Sequence, residues 1–89
     1  MSAVDVVPRL RPGVKRSYDE VRRCHVVLFP EGVLVLNETA AAVVGLCDGR
    51  NSVRDIAARL AAEFDGVRVA DVVELVGRLA ERRVVELRG

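Results

Sequence analysis

CHVVLFPEGVLVLNETAAAVVGLCDG, residues 24–49, decides the fold. Two apolar runs, Cys24 to Phe29 and Val33 to Leu36, read as strands. Pro30-Glu31-Gly32 joins them and predicts a three-residue hairpin loop. Proline's preset φ suits the first turn position, and Gly32 suits a left-handed one. Asn37 then ends the second run. Its side-chain oxygen is placed to accept from the free N–H groups of a helix opening at Glu38, whose charge favours the positive helix end. That helix is predicted over Glu38 to Cys47. It is apolar nearly all round, as a helix in the middle of a domain is, and Gly49 supplies its stop.

Downstream, Ser52 with Asp55 three residues on is a variant of the capping box. A second helix follows from Val53 to about Phe64, with Val53, Ile56, Ala57, Leu60, Ala61 and Phe64 on one stripe; Asp65-Gly66 stops it. A third helix is predicted from Val69 to Arg82. Val72, Leu75, Val76 and Leu79 form one stripe, and Val69, Val73, Gly77 and Ala80 form a second beside it. The second stripe is either more core or one wall of a groove. Gly77 inside a helix points to a close approach. Val84 to Leu87 reads as a closing strand.

Upstream, Val14 to Tyr18 alternates like an exposed strand, and Asp19 to Arg23 connects it to Cys24. Pro8 and Pro12 discourage a helix around Arg9 to Arg11, and residues 1–8 are expected to be a loose terminus. With 89 residues there is room for one domain over 1–89. The expected class is α+β, a small winged-helix-like domain: an N-terminal three-stranded antiparallel sheet followed by a three-helix bundle.

The charge balance excludes several functions. The net charge is +1, so neither nucleic acid nor a membrane surface is an expected partner. The distribution is uneven: residues 1–23 hold six bases and three acids, +3, and the remainder eight bases and ten acids, −2. The basic arm is either a surface for an acidic peptide or an ordinary solvated face. No apolar run reaches membrane-spanning length and no secretory segment opens the chain, so a cytoplasmic, reduced protein is expected.

Catalytic machinery is not expected either. One histidine and two distant cysteines make no metal cluster, and no cofactor is implied. Cys24 and His25, as strand neighbours, point to opposite faces and do not form a nucleophile–base pair. Glu31 reads as a solvated hairpin tip, and Asp48 as turn chemistry. A winged helix raises the question of a DNA-binding regulator, but the third helix carries Asp71, Glu74 and Glu81, which oppose phosphate binding.

A binding module fits better. An all-apolar strand, Val33-Leu34-Val35-Leu36, at a sheet edge invites an extended peptide to pair with it. The second stripe of the third helix is the expected opposite wall.

CHVVLFPEG, LNETAAAVV and LCDG closely resemble the PqqD family of pyrroloquinoline quinone (PQQ) biosynthesis, over about Pro8 to Leu87. The strongest pieces are Pro30-Glu31-Gly32, Leu36 to Ala40 and Cys47-Asp48-Gly49. The resemblance implies a RiPP recognition element: a peptide chaperone, not an enzyme, that binds the precursor peptide PqqA and presents it to the radical S-adenosylmethionine (SAM) enzyme PqqE. It implies peptide contacts at Val33, Leu34, Val35 and Leu36 and, on the last helix, at Val69, Val73, Val76, Gly77 and Ala80. It allows a monomer or a dimer with exchanged first strands. The chain departs from the family where a tryptophan is common, at Tyr18, and where an aromatic is common near the end, at Val84-Val85. The same fold serving another peptide-modifying radical SAM pathway is the alternative.

Overall fold

The structure, a computed structural model, describes residues 3–89. The order of elements is β1 (Val7–Leu10), β2 (Lys15–Asp19), β3 (Cys24–Phe29), β4 (Gly32–Leu36), α1 (Glu38–Gly45), α2 (Val53–Glu63), α3 (Val69–Glu81) and β5 (Val85–Arg88). Strands β2-β3-β4 form an antiparallel sheet, and β1 pairs with β5 in a second, two-stranded one. The class is α+β, with the expected N-terminal sheet and three helices.

The expected loose terminus is shorter than 1–8. Met1 and Ser2 lie outside the described residues, but Val7 and Pro8 are already in β1, and Pro8 is fully buried. The two prolines suggested irregular chain, yet Pro8 costs the ladder nothing. Its carbonyl accepts from the Gly49 N–H at 3.1 Å, so that side of the residue faces away from β5. The N–H that proline lacks would have pointed the same way. Arg9 lies directly opposite Glu86 across β1–β5 and pairs with it. The Val6 carbonyl accepts from Val53 N at 2.9 Å, which ties the terminus to the start of α2.

The decisive hairpin is tighter than expected. Phe29 pairs directly with Gly32, which leaves a two-residue turn, Pro30-Glu31. Gly32 lies outside the αL region but keeps a positive φ of 150°, still in the range that favours glycine. Proline favours an unprimed turn, whose twist mismatches a hairpin, and the glycine absorbs the difference.

The caps at the starts of α1 and α2 form where the sequence places them, but α1 ends at Gly45 with Leu46 as its C-cap, short of the expected Cys47, and Gly49 donates instead to Pro8 O. Asn37 Oδ1 accepts from Ala40 N at 2.7 Å. Ser52 Oγ accepts from Asp55 N at 3.1 Å, and Asp55 Oδ2 accepts from Ser52 N at 2.9 Å, which completes the capping box. After α3, Val84 N donates to Leu79 O at 2.9 Å and Arg83 N to Ala80 O at 3.0 Å, a Schellman ending with Arg83 at φ 61°. The core gathers Val27, Phe29 and Leu36 from the sheet, Val43 and Val44 from α1, Ile56 and Leu60 from α2, and Val72, Val76 and Leu79 from α3.

Candidate functional site: the β4 edge and its groove

Strand order leaves β4 with β3 on one side and, among the described residues, no strand on the other. Its backbone groups on that side are available to an added strand. The pleat sends its side chains both ways. Leu34 and Leu36, opposite Val27 and His25, turn to the helices; Val33 and Val35, opposite Leu28 and Val26, form the outer face. Val33 and Val35 are 57% and 50% exposed. On the same face Val26 is buried and Leu28 is 40% exposed, so the outer face is apolar and only partly covered among the described residues.

A groove of about 280 Å³ runs beside this edge. Leu34, Val35, Leu36, Asn37 and Ala40 form one wall, and Leu75, Arg78, Leu79 and Arg82 the other. Arg82 stands over the Phe29 ring, 5.9 Å from guanidinium carbon to centroid.

The predicted positions divide accordingly. Val33, Leu34, Val35 and Leu36 all lie on the edge strand. On α3, Val76 is buried in the core and supports the site from behind. Val69, Val73, Gly77 and Ala80 do not line this groove. The core-facing row Val72, Val76, Leu79 separates two flanks of the helix, and the flank toward β4 carries Leu75, Arg78 and Arg82. Val73 and Ala80 are half-buried against the core instead. Gly77 marks no close approach, since a Cβ there would meet nothing within 4 Å. Apolar periodicity marks the core row with Leu75 as one stripe and Val69, Val73, Gly77 and Ala80 as a second, but holds no signal for which flank faces β4. Arg78 and Arg82 on the β4 flank carry no sequence signal of their own, because exposed charge is the common state of a helix surface.

Several titratable groups outside the groove have structural roles. Asp48 accepts from Arg50 N at 2.8 Å and Asn51 N at 3.0 Å, and these bonds hold its carboxyl below the usual range. Burial first, and then the Asp48 charge, push the Cys47 thiol up to about 12. Cys24 and Cys47 are both free thiols. His25 packs edge-on against Tyr18, its cross-strand partner, with ring centroids 5.1 Å apart. Among the described residues no group of three or more His, Cys, Asp or Glu is placed to hold a metal, and no helix is long and apolar enough to cross a membrane.

The family model for coenzyme PQQ synthesis protein D (PqqD) matches residues 24–85, which span the hairpin, all three helices and the start of β5. The chain belongs to the PqqD family. A PqqA binding protein of Azotobacter vinelandii is 39% identical over 84 residues, covering 91% of this chain and 90% of that protein. One from Xanthomonas oryzae pv. oryzae is 43% identical over 86 residues, 93% of this chain and 94% of that one. The bifunctional coenzyme PQQ synthesis protein C/D of Methylorubrum extorquens is 43% identical over 83 residues; the match covers 90% of this chain but only 22% of that longer protein. The solution NMR structure of the PqqD truncation of Methylobacterium extorquens PqqCD, a stand-alone RiPP recognition element, superposes with a TM-score of 0.72 at 43% identity, covering 96% of this chain and 93% of that one. Strands β1 and β2 precede the PqqD match but fall within the span of the longer relatives.

Proposed function

We propose that this chain is a peptide chaperone of PQQ biosynthesis: it binds the precursor peptide PqqA as an added strand on β4 and presents it to the radical SAM enzyme PqqE. The observation that carries this reading is the unpaired, apolar β4 edge with a groove alongside it. An added strand would satisfy the edge by backbone hydrogen bonds. Its alternate side chains would enter the groove beside Leu34 and Leu36 and shield Val33 and Val35 on the outer face. Relatives at 39% and 43% identity over nearly the whole chain carry the name PqqA binding protein. The chain works by binding and not by catalysis, in the reducing cytoplasm, where two free thiols are stable. A DNA-binding role lacks the charge it needs, because α3 carries three acids, Asp71, Glu74 and Glu81, against the single base Arg78. The protein acts as a monomer; exchange of first strands would have to open the turn that Asp19 closes by accepting from Val21 N and Arg22 N.

Fluorescence anisotropy of labelled synthetic PqqA tests the reading. Saturable one-to-one binding, and a larger complex when PqqE is added, is the expected result. Absence of binding at high protein excess would overturn it and move the chain to another peptide pathway.

A further inference from the structure

The groove is apolar along its floor, but its charge is one-sided. Both charged residues lining it, Arg78 and Arg82, are basic. Among the described residues no carboxylate pairs with Arg82; its contact is the Phe29 ring, 5.9 Å from guanidinium carbon to centroid. Arg78 has Glu74, one turn back at 3.5 Å, but both side chains are about two-thirds exposed, so the pair is weak and readily exchanged. Arg82 marks the hairpin end of the groove, since Phe29 immediately precedes the turn. Past Leu75 the groove adjoins a hollow of about 240 Å³ with the opposite sign, lined by Asp65 and Asp71 together with Thr39 from the start of α1. The groove beside β4 is therefore basic at the hairpin end, and the hollow it meets at Leu75, away from β4, is acidic.

We infer that Arg78 and Arg82 are specificity residues: they select a peptide strand bearing an acidic side chain at the hairpin end of the groove, and this charge fixes which way the strand lies along β4. The inference rests on the strand-addition reading. Guanidinium groups suit the task because their planar N–H edge donates to a carboxylate through two parallel bonds. Backbone pairing alone favours no register, so a charged anchor at one end supplies what the edge lacks.

The test is a charge exchange. Each Asp and Glu of synthetic PqqA is changed to Lys in turn, and binding is measured against the wild-type protein and an R78E/R82E variant, with amide shifts followed by NMR. R78Q/R82Q serves as a second variant, and unchanged shifts outside the groove confirm the fold of both. One lysine peptide is expected to bind the wild type about 10-fold more weakly, and R78E/R82E to bring it back to within about threefold of the original affinity. Should every lysine peptide bind the wild type within about twofold of PqqA while shifts still map to β4 and α3, charge selection fails and strand addition stands. Shifts that avoid β4, or no binding at all, sink both.

Discussion

Arg82 reaches back from the end of α3 to stand over the ring of Phe29, 5.9 Å from its centroid, and so sets the wall of the groove opposite the β4 edge. This contact lies on the flank of the helix that faces β4. Leu75 lies on that flank and Val73 on the other, although both are half-buried apolar residues on the same helix.

Leu75→Ala is therefore expected to weaken PqqA binding about fivefold, the equivalent of roughly 1 kcal/mol of lost apolar contact. Val73→Ala should leave the affinity within about twofold while lowering stability, since Val73 packs on the core and not in the groove. Isothermal titration of both variants, with urea melts alongside, checks the contrast. Equal losses of affinity would mean that the peptide does not distinguish the two flanks.

Two positions in and after α3 are less stable than the fold allows. Gly77 is helical with open space where a Cβ would stand, so Gly77→Ala should raise stability by about 0.5–1 kcal/mol. Arg83 occupies a left-handed position at φ 61° in the Schellman ending, where glycine is favoured, and Arg83→Gly should add about 1 kcal/mol. Urea midpoints measure both gains. Neither residue lines the groove, and PqqA affinity should not change.

Cys47 gives the chain an alkaline weakness. Its thiol donates to Val43 O at 3.2 Å within the core, and its pKa is about 12 against an ordinary 9.0. Below pH 9 both folded and unfolded forms keep the proton, and the thiol makes no difference to stability. Between 9 and 12 the unfolded chain loses the proton and the folded one holds it, so stability falls with pH, by at most about 1.4 kcal/mol per unit. Urea melts from pH 8 to 10.5 should show this slope, and Cys47→Ala should reduce it. At pH 7, a thiol reagent should modify half-buried Cys24 well before buried Cys47.

What was legible in the sequence was local. Asn37, Ser52 and Asp55 announce their helices because a cap is decided within three residues, and each cap forms where its sequence places it. The β3–β4 hairpin was legible for the same reason, and only the role of Gly32 shifted. Strand β1 was not. Its partner is far along the chain, with Arg9 and Glu86 separated by 77 positions, and its prolines argue for irregular chain until the Gly49 contact is seen. The edge strand of the candidate site was legible from Val33 to Leu36. The facing flank of α3 was not, because one apolar stripe is the core row with Leu75 and the other lies on the far flank, and only the packing of α3 against the sheet decides which side faces β4.

The most direct test of strand addition is an NMR titration of labelled protein with PqqA, read together with amide hydrogen exchange. The account predicts saturable shifts along residues 33–36 and at Leu75, Arg78 and Arg82, with new exchange protection on β4 from hydrogen bonds to the added strand. Binding that shifts the outer edge of β2 or the free faces of the helices, and leaves the β4 amides as exchangeable as before, would contradict it.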